Sequence, residues 1–167
     1  TADWVLVCDV DEFLVIHPGQ GLLADLLALH HDADGSPLCL GISINWQVFG
    51  TDGIHDFADT PVHRQFFRAC GPSHRLAANV KSLYRKPEWF DRLGDHGPRE
   101  FRMERAGLAW GSRGMVWTSA DGRAMPEWQP GGDFVRTMAD PGQVSHAVAQ
   151  FNHYMLRSSQ TYSLKAG

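Results

Sequence analysis

The sequence predicts an α/β protein built on a mixed sheet flanked by helices, and three observations carry that expectation. Residues 5–8 (Val-Leu-Val-Cys) form a short, continuous apolar run of the kind that fills a strand buried on both faces. Residues 38–44 form a second such run, bounded by turn residues. Between the two, Leu22, Leu23, Leu26, Leu27 and Leu29 fall at helical spacing over residues 22–31. A helix between two apolar strands is a crossover unit, which requires a sheet that is at least partly parallel.

The first strand ends abruptly in Asp9, Asp11 and Glu12, and the chain returns at once to apolar Leu14, Val15 and Ile16. Ligands in open α/β sheets bind outside the carboxyl ends of the strands, so acids here suit a site. Two carboxylates two residues apart point the same way on extended chain and can share one hard cation with water and a phosphate oxygen. The plain alternative is a solvated acidic turn. The turn at residues 18–21 then opens the helix, and residues 32–37 close it.

The second strand runs into a loop holding Asn45, Trp46, Phe49, Gly50, Asp52 and Gly53. If the two strands are parallel neighbours, that loop emerges beside Asp9 and Asp11, where Trp46 and Phe49 either seal the core edge or face a ligand. Residues 64–68 and 79–85 mix polar and apolar side chains over strand-like lengths, which predicts half-exposed strands. Lys81 on the latter either faces solvent or aims a cation into the acidic cleft, where it would help to hold phosphate. Residues 87–91 read as a short helical turn, and residues 95–98 as a turn carrying His96 at the surface or as a ligand. Residues 107–141 show no period and predict long loops, short strands, or a lid or insertion. A strand is expected over residues 144–151 leading to Asn152, His153 and Tyr154, then a helix over residues 155–166 carrying Arg157 and Lys165.

A chain of 167 residues, 43% hydrophobic and 20% charged, is expected to fold as a single domain or a large part of one. Its net charge of −4 argues against a general nucleic-acid binder, and no apolar run reaches membrane-spanning length. Cys8, Cys39 and Cys70 are widely spaced and odd in number, which suggests reduced thiols in the cytoplasm. No Gly-X-Gly-X-X-Gly phosphate fingerprint occurs.

Taken in order, Asp9-Val-Asp-Glu-Phe13, the Trp46 and Phe49-Gly50 loop, Val80-Lys81-Ser82, and Asn152-His153-Tyr154 followed by Ser158, Lys165 and Gly167 resemble a family 2-like glycosyltransferase. More narrowly, they are similar to its bacterial Asp-X-Asp-Glu-Phe subgroup. The resemblance implies a GT-A fold, a Rossmann-type mixed sheet whose nucleoside-binding strands would precede residue 1, so that residues 1–167 form the C-terminal portion of the domain. It implies transfer of a sugar from a nucleotide-sugar donor to a glycan or other hydroxyl acceptor, in the cytoplasm or at the inner face of the membrane. Asp9 and Asp11 would bind Mn2+ or Mg2+ across the donor pyrophosphate, and His153 would complete the metal site. Glu12, Lys81 and Lys165 would serve the donor, and Trp46, Phe49, Gly50 and His96 the acceptor or sugar. The catalytic base stays open among Asp52, Asp56, Asp91, Asp95 and Glu100. Two other classes compete. One is a carbohydrate-binding domain of the same fold without turnover, to which Trp46, Phe49, Trp89 and Trp110 would lend stacking surfaces. The other is a haloacid-dehalogenase-like phosphatase with Asp9 as nucleophile, disfavoured by Glu12-Phe13 and by the lack of a late acidic pair.

Overall fold

The structure, a computed structural model, describes residues 3–126, 128 and 138–166. It is a mixed α/β fold with a few short helices around a curled sheet. The strands are β1 (Trp4–Leu6), β2 (Glu12–Ile16), β3 (Gly41–Val48), β4 (Val80–Arg85), β5 (Phe90–Leu93), β6 (Pro98–Phe101), β7 (Trp117–Ser119) and β8 (Ala149–His153). The helices are α1 (Leu23–Ala28), α2 (Met103–Ala106) and α3 (Ser159–Ala166). The main sheet has the order β1-β4-β3-β8-β2, with β7 also paired to β3, while β5 and β6 form a separate hairpin.

The two strands expected to be parallel neighbours, β1 and β3, run the same way but are separated by β4, which is antiparallel to both. The parallel pairs lie on the far side of β3, where β7 takes the register of Gly41–Ser43 and β8 that of Trp46–Val48. Consecutive strands β1 and β2 are the two edges of the main sheet. Flat, those edges would stand roughly 19 Å apart at 4.7–4.9 Å per strand. Only residues 7–11 join them, and the Glu12 N–H to Asp9 O bond (3.1 Å) folds that segment into a turn. The sheet therefore curls, bringing its edges toward each other at the acidic turn.

β3 shows why the sheet forms. Ile42, Ile44, Trp46 and Val48 alternate onto one face and pack with Leu26, Leu83, Ala149 and Phe151. On the other face Ser43 meets Ser82 (3.2 Å) and the Trp117 indole N–H (2.9 Å), beside a second core of Leu40, Tyr84, Phe90, Met125 and Trp128. Gly41 is required there, since a Cβ would lie 2.5 Å from atoms of the Trp117 ring.

α1 is shorter than its leucine spacing predicts. Its start is set by Asp25, whose carboxylate accepts the Gln20 and Leu22 N–H groups (both 2.9 Å). Its end tightens to i−3 hydrogen bonds at Leu29 and His30, and the buried His30 ring turns inward to donate from Nε2 to Ala120 O (3.1 Å). Other expectations are corrected as well. β1 is a half-exposed edge, not a doubly buried strand, because only β4 covers it. β4 is buried on both faces instead of half-exposed. Residues 64–68, expected as a strand, hold the end of a 3-10 turn (Val62–Arg64) and then irregular chain. Within residues 107–141, the described part is no lid: Met115, Trp117, Met125 and Trp128 are buried and β7 joins the sheet. The rest of that stretch, 127 and 129–137, lies outside the described residues.

Candidate functional site

Strand polarity assembles one site. The carboxyl ends of β1, β3 and β8 and the amino ends of β2 and β4 all meet at one end of the sheet. Asp9 and Asp11 come from the turn between β1 and β2, Glu12 from the start of β2, Lys81 from the start of β4, Trp46 from β3 and His153 from the end of β8. In register, Glu12 pairs with His153, and His153 with Val48. A cavity of about 520 Å³ opens at this end, lined by Cys8, Asp9, Val10, Asp11, His153 and Met155.

Lys81 is the electrostatic centre. Its side chain is 0% exposed, and Nζ lies 2.9 Å from Asp9 Oδ2, 3.1 Å from Glu12 Oε2 and 2.8 Å from Asp95 O. Three ammonium hydrogens thus meet three acceptors. Burial pulls the Lys81 pKa down, but its hydrogen bonds and charge pairing with Asp9 and Glu12 more than offset this and leave it above the ordinary value. The Glu12 carboxyl is raised, chiefly by burial, against the lowering effects of the Asp9 N–H and Lys81. Lys81 was expected to hold donor phosphate and Glu12 to help it. The geometry corrects both expectations: each is sealed beneath the surface, and their mutual pairing uses the groups a phosphate would need.

Above this buried pair, Asp11 Oδ1 lies 3.6 Å from His153 Nε2, and Asp11 Oδ2 lies 3.6 Å from an Arg157 guanidinium nitrogen. The Asp11 carboxylate is 6% exposed, whereas that of Asp9 is 58% exposed. The His153 ring packs edge-on against Trp46 at 4.2 Å, and Trp46 meets His96 at 5.4 Å. His96 donates from Nδ1 to Val80 O (2.8 Å), so it is half-buried behind Trp46 and not a surface residue. Of the three expected metal ligands, Asp11 and His153 come together, and Asp9 shares their cavity with one oxygen bound by Lys81. Among the described residues, no group of three or more His, Cys, Asp or Glu side chains is arranged to hold a metal ion.

The chain matches no family model, no curated protein and no solved structure.

Several expected residues have other occupations. Phe49 stacks on Tyr154 at 4.6 Å, and the Gly50 N–H donates to Arg68 O (2.9 Å), so this pair ties the 51–69 loop to the sheet behind the cavity. Asp52 accepts the Phe67 and Arg68 N–H groups and holds the same loop. Asp91 on β5 binds Arg102 and Arg105 at and within α2, and Glu100 pairs with Arg92 at 3.3 Å across the β5–β6 hairpin. Asp56 is exposed on the loop. Of the five candidate bases, Asp95 is the one that touches the Lys81 cluster, through its carbonyl, and its carboxylate lies 3.8 Å from His96 Nε2. Trp89 and Trp110 pack on Phe101 and offer no stacking surface to this cavity. Lys165 lies in α3, its side chain outside the described part of the structure. Sequence reasoning missed Arg157 as a site residue. It sits between β8 and α3 with φ of 51°, where no periodicity marks it.

Proposed function

We propose that this chain is a metal-dependent glycosyltransferase that moves a sugar from a nucleotide-sugar donor to an acceptor hydroxyl. The observation that carries the reading is the meeting of Asp11 and His153, from opposite ends of the chain, 3.6 Å apart on the wall of an open cavity. A carboxylate and an imidazole suit Mn2+, and Mg2+ is commonly held by one or two carboxylates with phosphate oxygens and water filling the rest. A site with two close protein donors is compatible with the lack of a three-residue cluster among the described residues. Asp11 and His153 would hold the cation, with Asp9 on the same wall. When bound, the cation neutralises charge that builds on the departing nucleoside diphosphate.

The chain's own groups supply the rest of the reading. In the transfer, the acceptor oxygen bonds to the anomeric carbon as the bond from that carbon to the diphosphate oxygen breaks, and the hydroxyl proton passes to a base. Asp95 is the candidate for that proton, being exposed and at the correct end of the sheet. Arg157 lies 3.6 Å from Asp11 Oδ2 and would add positive charge close to the cation site. Lys81 holds Asp9 and Glu12 in place from beneath.

The test is release of nucleoside diphosphate from a panel of UDP-, GDP- and CDP-sugars with Mn2+ or Mg2+. The reading expects release from one donor class, abolished by chelation and by Asp11→Asn. Release that survives both would refute it. A second reading, a carbohydrate-binding domain without turnover, is favoured by the absence of a three-residue metal cluster among the described residues. Glycan binding without metal that persists in Asp11→Ala would select it.

A further inference from the structure

We infer that Glu12 is a positioning residue for His153, its carboxylate fixing the imidazole so that Nε2 presents a lone pair beside Asp11 on the cavity wall. The inference rests on the metal-binding reading above and adds to it the group that prepares the histidine. Glu12 Oε2 accepts the Asp9 N–H (2.8 Å) and lies 3.1 Å from Lys81 Nζ, which immobilises the carboxylate. Its other oxygen, Oε1, is buried, has no hydrogen-bond partner among the described residues, and lies 3.9 Å from His153 Nδ1.

That separation is about 0.7 Å beyond the usual N–H···O range, so the carboxylate acts on the ring through its charge rather than through a formed hydrogen bond. Antiparallel pairing of Glu12 with His153 sets the two side chains on adjacent strands, and Trp46 closes one side of the ring. An ionised carboxylate accepts hydrogen bonds and donates none, so it favours the tautomer with hydrogen on Nδ1. Nε2 then carries the lone pair, facing Asp11 Oδ1 at 3.6 Å. A carboxylate oxygen and an imidazole lone pair at that distance are spaced so that one cation could take both as ligands. Metal-binding imidazoles are commonly oriented in this way by a carboxylate on the other ring nitrogen.

Glu12→Gln gives a sharp test because Lys81 and the Asp9 N–H both donate toward the Oε2 position. They select the amide oxygen of the glutamine there and leave its NH2 facing His153 Nδ1. The substitution should therefore invert the tautomer and place hydrogen on Nε2. The measurement is long-range nitrogen–proton correlation on histidine-labelled full chain without metal, at a pH where the ring is neutral, with His153→Gln assigning the signal. The unsubstituted protein is expected to show hydrogen on Nδ1, and Glu12→Gln hydrogen on Nε2. In calorimetric titration with MnCl2 alone, Glu12→Gln is expected to weaken affinity about 10–100-fold.

Hydrogen on Nε2 in the unsubstituted protein would overturn the inference, whether or not the variant folds. So would equal Mn2+ affinity in the two proteins. If the unsubstituted protein binds no Mn2+, the metal reading falls, while its tautomer and the inversion still decide whether Glu12 positions the ring.

Discussion

Replacing Lys81 by methionine probes the interaction on which the site is built. The side chains are of similar length, so the stem still fills its place and what is lost is the ammonium. Three acceptors lose it unequally. The Asp9 carboxylate is 58% exposed and can recover water, so its share is that of a surface pair, about 0.2–1 kcal/mol. The Asp95 carbonyl belongs to an exposed residue. Glu12, with a side chain 0% exposed, is left as a buried charge without its cation. Breaking a buried pair in this way typically costs about 3–5 kcal/mol. For a chain of this size that lowers Tm by roughly 6–20 °C. Urea and thermal denaturation followed by circular dichroism measure it. The double variant Glu12→Gln/Lys81→Met should be more stable than Lys81→Met alone, because it leaves no charge buried without a partner. A loss below about 1 kcal/mol for Lys81→Met would refute the reasoning, since only a solvated pair is that cheap to break.

Two further substitutions test the scaffold. His30 has its pKa lowered by burial, so the unfolded chain takes up a proton near 6.5 that the folded chain accepts only at lower pH. Its contribution is complete above 6.5 and is lost as pH falls below it; denaturation at pH 7.5 and 5.5 should show a larger acid loss in the unsubstituted protein than in His30→Gln. Equal losses would show that His30 protonates freely in the folded chain. Gly41→Ala places a methyl 2.5 Å from the Trp117 ring, which is held by its bond to Ser43 and by stacking on Trp128 at 5.3 Å. Overpacking of this kind costs about 1–3 kcal/mol, and an unchanged urea midpoint would mean that the ring yields freely.

Much of this arrangement was legible in the residues. The apolar run ending in Asp9, Asp11 and Glu12 does mark a strand and a turn at its carboxyl end, and the strand expected over residues 144–151 is found as β8, which starts later, at Ala149, and runs on to His153. The leucine spacing at residues 22–31 does give a helix, though a shorter one. Strand order was not legible, because local pattern says nothing of which strand lies between two others. Lys81 was misread for a related reason: Lys81, Ser82 and Tyr84 look half-solvated in sequence. In the fold, Ser82 meets Ser43 and Lys81 meets the acidic turn from across the sheet. Similarly, the tryptophans of residues 107–141 carry no period because they fill the second core from short, irregular segments. Lys81 lies beside Asp9 and Arg157 beside Asp11, so the acidic turn holds little repulsion for Asp11→Ala to relieve.

The central claim is that Asp11 and His153 form a cation site that recruits a nucleotide. It is tested most directly by calorimetric titration with MnCl2 followed by UDP, GDP and CDP, run in parallel on the unsubstituted chain and on Asp11→Ala. The predicted result is nucleotide binding that requires Mn2+ in the unsubstituted chain and is lost in Asp11→Ala, with both proteins folded by circular dichroism. Manganese-dependent nucleotide binding of equal strength in Asp11→Ala would contradict it.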